Sequence, residues 1–434
     1  MVLFLRQVDD FAIVAPSAII VDELIAQINE QLRMPMKNLG VITRFNGIDI
    51  EQNRHYVKLH CKKYLMTMLQ KHGWLTSHPA SSAAPSGAPT SADSKMPTPY
   101  MTPTTAPGQK PPRPPGKTDT PFHTDRNTVR NLQEAPVPIS DDQKRALHLK
   151  MGFSYRQLMG EIMYPMVKCR PDISPHTIFL SQFMDNPGEA HYQSLKEVAL
   201  YLANMIDDGI HYWLSSPIMT LPDAPLPQTH PDNYTLINLG GTESMALIGY
   251  VDSDWAVNIK KRTSLTGAVV MLAGGVIGYK TKFQTVIAHS STEAEFVAAC
   301  KTAKMILFFR SLLEELGYAQ EQATILYEDN TGALLMANAQ QPTKRTRHMD
   351  IKHFALLDWV EQDLLQLQQI STHDNAADAM TKPLTRQLFY RNRDRYMGYR
   401  IPAYARSAQG LHSEVLSCST AQSMGGGIGL PYVD

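Results

Sequence analysis

The most regular apolar and polar patterning lies in the second half of the chain. Three apolar runs, Leu247–Val251, Ala268–Leu272 and Val276–Lys280, read as strands. A long helix is predicted from about Thr292 to Leu316, with Phe296, Ala299, Ala303, Ile306 and Leu307 marking one face. A strand over Thr324–Tyr327, a short helix from Gly332 to Asn338 and a longer one from Met349 to Gln362 follow. A strand over Leu365–Ser371 and a last helix carrying Asp378 complete the series. Hairpin strands followed by alternating helices and strands predict an α/β fold built of α+β elements, a mixed sheet with helices packed on it.

The first half is less uniform. VLFLRQVDDFAIVA at the start reads as two apolar strands joined by a tight turn that holds two adjacent acids. Between Thr76 and Ser140 the composition shifts to Pro, Ser, Thr and Ala, and fourteen of the 29 prolines fall there. Such a stretch buries too little apolar surface to offset the entropy of ordering, so it reads as a disordered linker. Helical periodicity returns over Met151–Leu214, a second irregular spacer covers Ser215–Ser244, and a Gly-rich tail beyond Arg400 lacks regular apolar spacing. The expected divisions are 1–75, the linker 76–150, a helical region 151–214, the spacer 215–244, the main domain 245–400 and a disordered tail 401–434.

Composition narrows the function classes. With 41 basic and 41 acidic residues in 434, no global charge favours nucleic acid, and any such binding must rest on local patches. Cys61, Cys169, Cys300 and Cys418 are scattered without metal spacing, as suits reduced thiols in an intracellular protein. No signal peptide is visible, and the longest apolar run, Gly267–Tyr279, is too short and glycine-rich to span a bilayer.

Four acids stand out by position. Asp252 in IGYVDSDW and Asp329 in ILYEDN follow strand-like runs, and Glu295 in SSTEAEF and Asp378 in NAADAMTKPL lie in the first turns of expected helices. Strand ends and helix starts can converge on one side of a sheet. Gathered carboxylates repel by roughly 4 kcal/mol per close pair at an effective dielectric near 20, unless a cation lies between them. Oxygen ligands without a Cys/His cluster favour Mg²⁺ or Mn²⁺. Two such ions about 3.5–4 Å apart can activate a water and stabilise a leaving oxygen in phosphodiester cleavage. Alternation alone does not separate Asp252 from Asp254, and Glu293 and Glu295 flank the apolar helix face equally.

Six strings, GYVDSDWA, KRTSLTGAVVML, SSTEAEF, EDNTGAL, TKRTRHMDIKHF and NAADAMTKPL, occur in this order. Together they resemble the ribonuclease H domain of copia-type LTR retrotransposon Pol polyproteins. The resemblance implies a ribonuclease H-like mixed sheet with flanking helices. It also implies Asp252, Glu295, Asp329 and Asp378 as catalytic metal ligands for two ions, Mg²⁺ or Mn²⁺. It selects Asp252 over Asp254 and Glu295 over Glu293, leaving Glu293 to cap the helix at Ser290.

The implied reaction is hydrolysis of the RNA strand of an RNA–DNA hybrid. Lys344, Arg345, Arg347 and Lys352 are the expected phosphate contacts, with Lys260, Lys261 and Arg262 as further candidates. His373 is weighed for product release or proton transfer against an ordinary loop role.

The opening hairpin resembles the palm hairpin of reverse transcriptases, and Lys37–Trp74 resembles the segment on its C-terminal side in copia-type polymerases. By this resemblance Asp9 and Asp10 would bind the polymerase metals, although Gln7 stands where the family commonly has Tyr. The fingers and first palm strand would lie upstream of Met1, so a truncated palm/thumb fragment without templated DNA synthesis is expected. The implied partners are the hybrid and the rest of a retrotransposon polyprotein, with no membrane. The implied compartment is intracellular, either a cytoplasmic virus-like particle or the nucleus. The competing expectation is a catalytically dead, nucleic-acid-binding remnant.

Overall fold

The computed structural model describes residues 2–7, 10–32, 36–75, 120–122, 127–214, 245–337 and 352–399. The opening apolar runs form β1 (Leu3–Gln7) and β2 (Asp10–Val14), an antiparallel hairpin with Gln7 opposite Asp10. Helix α1 (Ala18–Leu32) follows. β3 (Arg44–Phe45) and β4 (Ile48–Gln52) are joined through Asn46 and Gly47, both at positive φ. That pairing matches the right-handed twist of the flanking strands. β5 (Tyr56–His60) and α2 (Lys62–Lys71) complete this stretch.

Helices α3 (Thr128–Glu134), α4 (Asp141–Met151), α5 (Tyr155–Lys168), α6 (Ser174–Leu180) and α7 (Glu189–Asn204) come next, and then β6 (Gly209–Trp213). Two differences from the sequence reading appear here. Residues 128–134 and 141–150, which the expected divisions place at the end of the linker, are helical. Ser140 Oγ accepts from Gln143 N–H to cap α4, and Gly152 ends it in the left-handed region. Residues 209–213, expected as the end of a helical region, are a strand. It pairs with β5 from Tyr56 opposite Trp213 to His60 opposite Gly209, completing a sheet of order β3-β4-β5-β6. Local periodicity carries no sign of a partner so distant in the chain.

The second sheet is built from β7 (Ile248–Asp254), β8 (Leu265–Leu272), β9 (Gly275–Phe283), β10 (Thr324–Glu328) and β11 (Leu365–Gln369). Its order is β11-β10-β7-β8-β9, with β7, β8 and β9 antiparallel and β7, β10 and β11 parallel. Helices α8 (Ser291–Glu315), α9 (Thr331–Ala337), α10 (Lys352–Glu361) and α11 (Arg386–Tyr396) flank it. An antiparallel meander extended on its first strand by two parallel strands, with helices on both faces, is a ribonuclease H-like fold.

Side-chain alternation divides the interior. Val251 of β7 and Leu247 just before it join one core with α8, α9 and α10, whereas Tyr250 joins another. That second core gathers Leu65 and Leu69 of α2, Leu158, Ile162 and Met166 of α5, Val198 and Leu202 of α7, and Phe389, Tyr390 and Tyr396 of α11. Tyr250, Val269, Met271 and Val276 are the sheet's share of it. Each such side chain contributes about 1.5–3 kcal/mol on burial, before the entropy of ordering is counted. The 128–214 helices and the 245–399 sheet therefore form one body. Among the described residues, no helix is long and apolar enough to cross a membrane.

Candidate metal centre

The acids meet at the end of the central strand pair. Tyr327 lies opposite Tyr250 in the parallel pairing of β10 and β7. Continuing that register two residues sets Asp329 beside Asp252. Glu295, on the second turn of α8, reaches the same point and is buried, as is Asp252. One carboxylate oxygen from each of Asp252, Glu295 and Asp329 lies within 4.8 Å of the others. Oxygens facing each other across an octahedral Mg²⁺ are about 4.2 Å apart, from bond lengths near 2.1 Å. Three carboxylates gathered this closely are compatible with a divalent ion between them.

Two glycines set this convergence. A Cβ on Gly249 would meet Ile306 Cδ1 at 2.7 Å and Leu326 Cδ1 at 2.9 Å, so the bare backbone lets α8 press onto β7. Gly267 pairs with Asp252 across β7 and β8. A Cβ there would lie 2.7 Å from Thr381 Cγ2, 2.8 Å from Met380 Cβ and 2.9 Å from the Ala377 carbonyl oxygen. Its absence admits the segment carrying Asp378. At the start of α8, Ser290 Oγ accepts from Glu293 N–H at 3.1 Å and a Glu293 carboxylate oxygen accepts from His289 N–H at 2.8 Å. The capping role expected for Glu293 is thus observed, and Glu295 is free to face the acids.

Asp378 departs from expectation in its setting. It lies on a 3-10 turn, Ala376–Met380, rather than in an α-helix. Asn375, fully buried, accepts from Ala377 N–H at 3.1 Å and donates from Nδ2 to the Val251 carbonyl at 2.8 Å, which staples the turn to β7. Thr281 Oγ1 donates to the Met380 carbonyl at 2.8 Å from the other side. Asp378 is joined to Asp252 through Lys382, whose Nζ donates to Asp378 Oδ1 at 2.8 Å and Asp252 Oδ1 at 2.9 Å. Thr381 Oγ1 also donates to Asp252 Oδ2.

Burial and mutual repulsion raise the carboxyls. Glu295 is pushed up to about 11, by burial first and then by Asp252 and Glu328. Asp378 rises to about 8 through burial and Asp252, and Asp329 rises for the same two reasons. Asp254, half-buried one step farther along the strand face, is pushed up to about 6 by burial. Lys382 is held charged by Asp252 and Asp378 against the opposing effect of its burial.

Glu328, which sequence reasoning passed over, is fully buried and pushed up to about 8 by burial. Glu295 Oε2 and Glu328 Oε2 are both buried without a hydrogen-bond partner. Orphaned carboxylate oxygens beside an acid cluster fit a hard divalent cation.

A groove runs beside the acids. Asp254, Asp378, Lys382 and His373 line it together with Arg262 and with Arg130 and Gln133 of α3. Gln133 Nε2 donates to the Val257 carbonyl at 2.8 Å and its Oε1 accepts from Ile259 N–H at 2.7 Å. Asn258 Nδ2 donates to Gln182 Oε1 at 2.6 Å. The loop bearing exposed Lys260, Lys261 and Arg262 is thus tied to the preceding helices. Asp9, Lys344, Arg345 and Arg347 lie outside the described residues, and Asp10 and Lys352 are described only in their backbone.

No family model matches the chain. It is 31% identical over 235 residues to the Retrovirus-related Pol polyprotein from transposon TNT 1-94 of Nicotiana tabacum, covering 54% of this chain and 16% of that protein. It is also 31% identical over 268 residues to the Retrovirus-related Pol polyprotein from transposon RE1 of Arabidopsis thaliana, covering 61% of this chain and 16% of that one. The chain thus spans about one sixth of the length of these relatives. Among solved structures, LC11-RNase H1 isolated from compost is similar over 32% of this chain and 93% of its own, at 15% identity and a TM-score of 0.25. The strand order and register, not that likeness, carry the fold. Over more than half of its length the chain is thus similar to the Pol polyproteins of plant retrotransposons, and the likeness is to the copia type.

Proposed function

We propose that the chain hydrolyses the RNA strand of RNA–DNA hybrids in a divalent-metal-dependent reaction. The observation that carries this reading is the convergence of Asp252, Glu295 and Asp329 at the sheet end, with Asp378 tied to them through Lys382. In this reading the four acids hold two ions, Mg²⁺ or Mn²⁺. When bound, the ions would supply an activated water and stabilise the leaving oxygen. The carboxylates must shed their protons to hold them, so Glu295 and Asp378 couple ion binding to proton release.

The basic loop at Lys260, Lys261 and Arg262 flanks the groove and meets backbone phosphates. Lys344, Arg345, Arg347 and Lys352 extend that contact by sequence resemblance. Asp9 and Asp10 belong, on the same ground, to a polymerase palm hairpin.

The test is to incubate the whole chain with a labelled hybrid, with and without Mg²⁺, beside Asp329→Asn. Mg²⁺-dependent cutting of the RNA strand that falls to background in the variant is the expected result. One observation favours a second reading, a nucleic-acid-binding remnant: Lys382 already pairs with both Asp252 and Asp378. A folded wild-type protein that binds the hybrid and leaves it intact would decide for the remnant.

A further inference from the structure

The acid cluster is not uniformly empty of positive charge. On one side the Lys382 ammonium bridges Asp252 Oδ1 at 2.9 Å and Asp378 Oδ1 at 2.8 Å. Those two carboxylates are 0% and 6% exposed, whereas the lysine side chain is 33% exposed and opens onto the groove. On the other side Glu295 and Asp329 approach Asp252 with no ion pair to either among the described residues, and Glu295 Oε2 is unpartnered. A site for two divalent ions would need both sides.

We propose that Lys382 is a built-in cation that closes the Asp252–Asp378 side of the site to a divalent ion until its side chain swings out into the groove. This deepens the metal-dependent reading above and rests on it. The first ion then enters where Glu295 and Asp329 face Asp252, since of these three acids Lys382 holds only Asp252, through one oxygen. The second must displace the lysine, so its apparent affinity is the intrinsic one reduced by the fraction of time the lysine is out. An ammonium in place about nine-tenths of the time weakens that step about tenfold. Once displaced, the ammonium remains on the groove wall, within reach of an anionic ligand lying there. An anion in the groove and an ion at Asp252–Asp378 then favour each other.

The experiment is Mn²⁺ titration by calorimetry into the whole wild-type chain, Lys382→Met and Lys382→Arg, without nucleic acid. Two binding steps are expected for the wild type. The weaker one should tighten about tenfold in Lys382→Met and stay put in Lys382→Arg, which keeps the cation. Lys382→Gln repeats the measurement if the methionine variant does not fold.

Equal constants for wild type and the neutral variants would overturn the lysine's role while leaving the metal centre standing. Absence of Mn²⁺ binding in every protein, wild type included, would overturn the metal-dependent reading and the lysine's role with it.

Discussion

Gly267→Ala isolates the placement of Asp378 from the rest of the site. The added methyl would sit 2.7–2.9 Å from Thr381 Cγ2, Met380 Cβ and the Ala377 carbonyl oxygen, where optimal carbon contacts are about 3.5–4.0 Å. Two of these neighbours are backbone or Cβ atoms, which no rotamer change removes. The 376–381 segment must therefore recede by roughly 0.5–1 Å, taking Asp378 from Asp252. Overpacking of this kind costs about 1–3 kcal/mol, or about 2–4 °C in melting temperature per kcal/mol for a domain of 150–250 residues. A misplacement near 1 Å at a reacting centre can cost about 10²-fold in rate. The assay is single-turnover cleavage of a labelled hybrid in Mg²⁺, with thermal melts on the same samples. Gly249→Ala is the comparator, since its methyl meets the movable tips of Ile306 and Leu326 and nothing of the 376–381 segment; its rate should fall less than that of Gly267→Ala. The reasoning fails if Gly267→Ala cuts at the wild-type rate, or if Gly249→Ala loses as much.

Two further outcomes are expected. Glu328 and Asp378 are raised to about 8 and Glu295 to about 11, against ordinary values of 4.5, 3.8 and 4.5. The folded metal-free protein therefore keeps protons that the unfolded chain has released. Their stabilising contribution is complete below about pH 4 and lost as pH rises through 8 and toward 11. The metal-free melting temperature should fall from pH 5 to 9, and added Mg²⁺ should raise it most at the alkaline end; a flat metal-free profile would contradict the shifts. Gln133→Ala removes both bonds to the 256–262 loop, worth about 1–3 kcal/mol of local stability. Hydrogen exchange at the Ile259 amide should accelerate and hybrid affinity should drop, and unchanged exchange would show that Gln133 does not hold the loop.

The parts of this structure that were legible in sequence are those written in short-range pattern. β8, buried on both faces, shows as the unbroken run LTGAVVML, and α8 shows through Phe296, Ala299, Ala303 and Ile306 at helical spacing. The acids at strand ends were legible as positions, though resemblance was needed to prefer Asp252 to Asp254. What escaped was set by contacts between distant segments. Asn375 holds Val251, Lys382 holds Asp252, and Gln133 of α3 holds Val257, each across more than a hundred residues. No local periodicity marks such residues. Glu328 was passed over because a polar residue closing a strand usually faces water, whereas here α9 starts three residues later and the side chain is buried. The 3-10 setting of Asp378 was missed because Ala-Ala-Asp-Ala-Met has strong helix formers, but the stapling Asn375 and Pro383 leave room for only a short turn.

The pairing of β5 with β6 also governs how the protein assembles. Tyr56 finds Trp213, and His211 N–H in turn donates to the Met397 carbonyl, so the early sheet is completed by residues that come much later in the chain. Contacts of such long sequence separation slow folding, because closure entropy is lost before any contact compensates it. During synthesis, β3, β4 and β5 emerge well before the strand that covers their edge, and an uncovered edge of this kind is where association with other chains begins. A substitution at the β5–β6 seam would act first on the yield of folded protein.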